Sequence, residues 1–248
     1  MSIVCKVYYT KSVNLSDLKK ELQKKADLSH AEILQKFFKT GPGEYGEGDV
    51  FIGIKVPELR KSAETHQGLY LKDIEKLLRS RIHEERMVAL FILRIQYEKA
   101  FKEEENVLPY INLYLNNATR INNWDLVDTS APYILGHYLL KEDREVLYTF
   151  AKSPNLWKKR IAIISTFAFI KEKKFKDTLK IAELLLHEKH DLMHKAVGWM
   201  LREIGNRNLA TEERFLKKHY QDMPRTMLRY AIEKFPEIRR KEYLLGKV

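Results

Sequence analysis

A single cysteine, Cys5, stands in 248 residues, so no internal disulfide can form. That accords with a reducing compartment. No run approaches the roughly eighteen uncharged apolar residues of a membrane span, and the opening "MSIVCKVYYTK" has too short an apolar segment and no small-residue cleavage site for a secretory signal. The expected location is therefore the cytoplasm. Strand patterning is equally scarce, since only "IVCKVYY" at residues 3–9 comes near strict alternation. A P-loop, a dinucleotide fingerprint and a nucleophile elbow are all missing, and Ser130 has no evident partner base, which argues against nucleotide-dependent and serine-hydrolase chemistry. Glycine is sparse too: five of the ten fall between positions 41 and 53, in "GPGEYGEGDVFIG".

What the chain does have is hydrophobic content, charge and helical periodicity. Its 44% hydrophobic residues suffice for a sizeable core, and residues 1–248 are expected to form one domain. The net charge of +11 is lopsided, because residues 1–151 hold 22 basic and 22 acidic side chains while residues 152–248 hold 23 and 12. Such a basic half points to a polyanion, with nucleic acid ahead of membrane, although a merely solubilising surface would look similar. Apolar residues recur at three and four in "LSDLKKELQKKADL", "LKDIEKLLRS", "ERMVALFILRIQY", "WKKRIAIISTFAFI", "TLKIAELLLHE", "HKAVGWMLREIG" and "RTMLRYAIEKF". Short polar clusters or single prolines separate them. This predicts an all-α protein with brief connections.

A weak internal repeat sharpens that expectation. Setting "NLWKKRIAIIS" from Asn155 against "DLMHKAVGWML" from Asp191 pairs Lys159 with Lys195, Ala162 with Gly198 and Ile163 with Trp199, at an offset of 36. Each stretch begins with an expected N-cap, Asn155 or Asp191. A further step back from Ile163 lands on Asp128, and another reaches "EERMVALFIL". Periods in the high thirties with two helices per unit are those of a curved α-solenoid of HEAT-like helical pairs. Equivalent positions would then line one face, where Trp124 and Asp128, Arg160, and Lys195, Trp199 and Arg202 fall at helical spacing.

The stretch "NNWDLVDTSAP", residues 122–132, is the most unusual part of that face. A tryptophan at helical spacing often packs a core, and Asp125 or Asp128 can cap a helix or pair with Arg160. Pro132 adds a constraint, because its ring crowds the carbonyl four residues earlier, which belongs to Asp128. Either the helix kinks there, or it stops at Asp128 and another begins with Thr129 or Ser130 as cap.

These segments, with "KTGPGEYGEGDVFIGIKVPELRK" and "MPRTMLRYAIEKFP", resemble the AlkD-like family of DNA alkylation repair proteins, the HEAT-like-repeat DNA glycosylases. The likeness runs through almost the whole chain, and the WDxVD stretch followed some seventy residues later by GWxLRE is its most specific part. It implies that Asp128 is the catalytic aspartate, that Trp124 and Trp199 flank the lesion's sugar and phosphate, and that Arg160 contacts the DNA backbone beside it. Tyr45 matches a cleft tyrosine, and Asn123 stands where some members carry another tryptophan. The implied reaction is hydrolysis of the glycosidic bond of purines alkylated at N3 or N7, such as 3-methyladenine or 7-methylguanine, in duplex DNA. No cofactor or metal is implied, and a monomer suffices.

The chemistry suits these residue types. A purine alkylated at N3 or N7 is already cationic and leaves as a neutral base, so the deoxyribose, not the leaving group, needs help as it gains oxocarbenium character. An ionised carboxylate about 4 Å away would stabilise that cation by roughly 4 kcal/mol at an effective dielectric near 20. Lys159, Lys195, Arg202, Arg225 and Arg229 are suited to holding phosphates. The alternative is a non-catalytic nucleic-acid-binding or protein-scaffold solenoid. His187, His190 and His194 are spaced as a zinc site on an unbroken helix would be, but straddle an expected turn. Glu103, Glu104 and Glu105 read as a solvated face.

Overall fold

A computed structural model of the chain describes residues 14–248. Cys5 and the alternating stretch 3–9 lie outside the described residues. The helices are α1 (Leu15–Lys24), α2 (Leu28–Phe37), α3 (Val56–Thr65), α4 (Leu71–Leu78), α5 (His83–Lys102), α6 (Leu108–Asn116), α7 (Trp124–Ser130) and α8 (Glu145–Ala151). They continue as α9 (Leu156–Ser165), α10 (Phe167–Lys171), α11 (Lys176–Leu184), α12 (Asp191–Gly205), α13 (Leu209–His219), α14 (Arg225–Ala231) and α15 (Glu237–Leu245). Among the described residues there is no β-strand, only an isolated parallel bridge between Val50 and Ile82. None of the helices is long and apolar enough to cross a membrane.

The packing order makes this the expected α-solenoid. Helices α5, α7, α9, α12 and α14 each lie against the next and form an inner row, while α4, α8, α11 and α13 pack against inner helices from outside. One hydrophobic cluster runs from Leu18 to Tyr243 through this double layer. Helix α5 is apolar around most of its circumference, and Met87 to Leu93 are all buried, as befits a helix enclosed by neighbours. Two glycines let the inner row close up. A Cβ at Gly198 would stand 2.5 Å from the Met227 carbonyl oxygen on α14, and one at Gly136 would stand 2.2 Å from the Ser165 carbonyl oxygen on α9.

Pro132 bends the chain without stopping it. Helix α7 passes Asp128, and residues Pro132–Gly136 form a π turn in which the Gly136 amide donates to the Ala131 carbonyl at 2.8 Å. The wider turn accommodates a residue that lacks an N–H. A new helix capped by Thr129 or Ser130 is therefore ruled out. Both hydroxyls donate backwards along the same helix, Thr129 to the Asp125 carbonyl at 2.7 Å and Ser130 to the Leu126 carbonyl at 2.6 Å.

Capping is correct at one repeat and shifted at the other. The Asn155 side chain accepts from the Trp157 and Lys158 amides at the start of α9, as expected. For α12 the cap is His190, whose Nδ1 accepts from the Leu192 amide at 3.1 Å, and Asp191 is the first helical residue.

Candidate active site

The N-terminus of α7 is fixed by short polar contacts. The buried Asn123 side chain accepts from the Trp124 amide at 2.8 Å, and Leu126 and Val127 drop into the core. Trp124 and Asp128 are thereby presented on the opposite side. They line a cleft of about 480 Å³ with Arg160, with Asp191, Leu192, Lys195, Trp199 and Arg202 of α12, with Tyr230 of α14, and with Phe37, Lys39, Tyr45 and His190 from loops and helix ends. Residues nearly two hundred positions apart are thus brought together.

Asp128 faces Arg160 squarely. The guanidinium donates from Nε to Oδ1 at 2.9 Å and from Nη2 to Oδ2 at 2.8 Å, while Nη1 donates to the Leu192 carbonyl at 2.6 Å. Three of the five guanidinium N–H groups are engaged. The arginine side chain is 6% exposed and the aspartate 19%, so both line the cleft but the acid shows more of itself to it. Burial pushes the Asp128 carboxyl above the ordinary carboxylate value; Arg160 opposes that shift, and the nearby charge of Asp125 adds to it. Both contacts of Arg160 are with residues 32 positions away. Ile163, expected to be equivalent to Asp128, is fully buried and outside the cleft.

The aromatic walls have separate supports. Trp124 is half-buried and stacks on Phe38 at 5.3 Å, with Phe37 edge-on at 6.1 Å. Trp199 donates from its indole to Glu203 at 3.3 Å and is tilted against Phe167. Tyr45 is held edge-on to Trp157 at 6.1 Å and to His190 at 6.3 Å, and burial raises its phenol pKa. The glycine-rich segment reaches the cleft because Glu84, buried at the start of α5, accepts from the amides of Ile52 at 3.1 Å and Gly53 at 2.8 Å. Gly53 has a φ of +85°, and a Cβ there would stand 2.0 Å from the Asp27 carbonyl oxygen.

Behind α7 lies a buried polar cluster that sequence reasoning missed. His83 bridges Asp125 at 2.9 Å and Asp49 at 3.3 Å, and Arg86 pairs with Asp49 at 2.7 Å. Burial works against a charge on His83, yet the two carboxylates prevail and raise its pKa. Burial likewise acts on Asp49, where His83 and Arg86 win and lower its pKa. Nothing in the spacing of residues 49, 83 and 125 announces this cluster. It ties the glycine-rich segment, α5 and the first turn of α7 together.

The expected phosphate-binding cations are dispersed. Lys195 and Arg202 line the cleft, where Lys195 pairs with Asp191 at 2.7 Å and Arg202 with Glu233. Lys159 is drawn aside to Glu188 and does not line it. Arg225 and Arg229 are exposed on α14 outside the lining, and Arg225 donates to the Leu244 carbonyl at 2.7 Å. Lys39 is a cleft cation that the sequence did not single out, placed there by a left-handed turn with φ of 51°. Of the three histidines, His190 caps α12, His194 contacts the Glu188 carbonyl and His187 is exposed. Among the described residues no three His, Cys, Asp or Glu side chains are grouped to hold a metal ion.

A predicted DNA alkylation repair enzyme from Enterococcus faecalis has the same fold, with a TM-score of 0.68 over 86% of this chain and 98% of that one at 18% identity. No curated protein matches the chain. The family model for DNA alkylation repair enzymes matches residues 18–235, so the chain belongs to that family and DNA is its partner.

Proposed function

We propose that this repair enzyme is a monofunctional DNA glycosylase that hydrolyses the N-glycosidic bond of N3- or N7-alkylated purines in duplex DNA. Water replaces the base at C1′, leaving an abasic site and a free neutral purine. The observation that supports this most directly is a partly exposed, arginine-backed carboxylate in a cleft walled by aromatic rings. As the bond breaks, the Asp128 edge faces the positive charge that grows on deoxyribose. Trp124 and Trp199 frame the sugar, and their electron-rich faces favour a cation where water is excluded. Arg160 keeps the acid ionised and has two N–H groups left for a phosphate oxygen. Lys39, Lys195 and Arg202 hold the strand by its backbone.

The test is incubation of the protein with duplex DNA containing 7-methylguanine, followed by chromatography of the released base and a count of abasic sites. Equimolar release of both supports the reading. Saturable binding with no release at any enzyme concentration would dismiss it and favour a binding-only solenoid.

A further inference from the structure

The cleft has an outer lip formed by the C-terminal end of α2. Phe37 ends that helix with 61% of its surface in water, and Ile33, one turn earlier on the same face, is 62% exposed. Among the described residues, Phe37 is the one large apolar side chain that is both exposed to this degree and part of the cleft lining. Leaving so large an apolar surface beside a binding site is unfavourable unless something covers it in the working state.

The ring is not a loose end. It meets Phe38 at 5.0 Å with an interplanar angle of 87° and Trp124 at 6.1 Å with one of 69°. Two edge-to-face contacts thus fix its inner side, while most of it stays open. Cations surround the opening, since Lys39 follows two residues later and Lys195 and Arg202 line the same cleft. An aromatic ring among cations matches a strand that carries an apolar base and an anionic phosphate at every step. An anionic lipid surface offers a similar pairing of charge and apolarity, but it does not reach into a cleft lined by a carboxylate.

We infer that Phe37 is a base-contacting residue, whose ring stacks on an unstacked nucleobase of the strand whose sugar meets Asp128. This rests on the duplex-DNA reading above. Every base has a π face, so the contact is tolerant of sequence, and it holds the strand at the mouth of the cleft while the cations hold its phosphates.

The test uses a duplex containing a tetrahydrofuran abasic analogue with 2-aminopurine placed on either side of it, titrated with wild type, Phe37→Ala, Phe37→Leu and Phe37→Tyr. Wild type and Phe37→Tyr should change the 2-aminopurine emission at saturation. Phe37→Ala and Phe37→Leu should lose that change and bind about 10-fold more weakly, within the usual range for one base–aromatic stack. Phe37→Ala and Phe37→Leu also give up the edge contacts with Phe38 and Trp124, so binding is compared at a temperature where circular dichroism finds all four proteins folded. Equal emission and affinity for wild type and Phe37→Ala would overturn the inference while leaving DNA binding intact. Absence of duplex binding by every protein would overturn it together with the reading it rests on. Phe37-dependent sedimentation with phosphatidylglycerol vesicles, with no 2-aminopurine response, would assign the ring to a membrane instead.

Discussion

Replacing Asp128 by asparagine keeps the shape of the side chain and removes its charge, so it isolates the electrostatic part of the proposed mechanism. A sugar cation about 4 Å from the carboxylate gains roughly 4 kcal/mol at an effective dielectric near 20. The guanidinium of Arg160, bonded to the same carboxylate at 2.8 and 2.9 Å, stands farther back. At about 8 Å it returns roughly 2 kcal/mol of repulsion in wild type and variant alike, so removing the Asp128 charge alone costs the full term of about 4 kcal/mol, ~1000-fold in rate. A phosphate oxygen that neutralises Arg160 in the complex lifts that repulsion from both proteins and leaves their ratio unchanged. Single-turnover release of 7-methylguanine should therefore fall by ~1000-fold in the variant. The substitution also strands a buried guanidinium, which costs about 3–5 kcal/mol when a partner is simply removed and less here because the amide oxygen still accepts. Rates must be compared at a temperature where circular dichroism finds both proteins folded, and the double variant Asp128→Asn/Arg160→Gln should recover stability without activity. A folded Asp128→Asn protein that releases base as fast as wild type would refute the reasoning.

Four further outcomes are expected. Since burial raises the Asp128 carboxyl and Arg160 restrains it, base release should fall as pH drops through a value above the ordinary 3.8, and Arg160→Gln should move that acid limb to higher pH; a limb near 3.8 in both proteins would contradict this. The raised pKa of His83 means that its ionic contribution to stability is fully present below its unfolded value near 6.5 and is lost as pH rises through the folded value. His83→Gln should flatten that part of the urea-midpoint profile. Gly198→Ala places a methyl 2.5 Å from a backbone oxygen of α14, so it should destabilise by about 1–3 kcal/mol in denaturant titrations and slow base release by displacing Tyr230. Charge reversal at Arg225 and Arg229 together should lower the slope of log K against log salt by about two units if both touch phosphate, and leave it unchanged if neither does.

How much of this was legible follows from what each feature depends on. Helices α1, α4, α9, α11, α12 and α14 were readable from apolar residues at helical spacing and α5 from its long apolar stretch, properties local to each segment. The meeting of Trp124, Asp128, Arg160, Lys195 and Trp199 followed from stacking those helices. The register did not, because the by-eye repeat equates Asp128 with Ile163, which packs in the core. Pro132 signalled a disturbance, but whether it becomes a stop or a π turn depends on Gly136 fitting against Ser165, which is tertiary. His83, Asp49 and Asp125 left no trace for the same reason. Lys39 reaches the cleft through a turn at positive φ that lysine does not advertise, and Phe37 reaches it only because of where the end of α2 packs.

A surface that binds DNA must tolerate the acid at 128. A broad cationic groove would suffice in principle, yet Lys159, Lys195 and Arg202 already have carboxylate partners in Glu188, Asp191 and Glu233. A phosphate arriving at the cleft must exchange with those partners. Exposed ion pairs contribute little, so exchange at Lys195 is nearly neutral, and the pair serves chiefly to hold a flexible side chain extended. Such a cation cannot also hold Asp128 ionised. That task falls to Arg160, which touches the carboxylate directly and stays buried beside it. The duplex brings further negative charge and raises the carboxyl's proton affinity, and only a partner at hydrogen-bond distance, where the local dielectric is low, acts strongly enough to resist. The same closeness weakens the pull of Asp128 on a nascent sugar cation, so Arg160 is most useful if the phosphate of the damaged nucleotide draws its charge outward as that cation forms. On this view binding of the backbone and activation of the carboxylate are one event, governed by the two guanidinium N–H groups that the free protein leaves open.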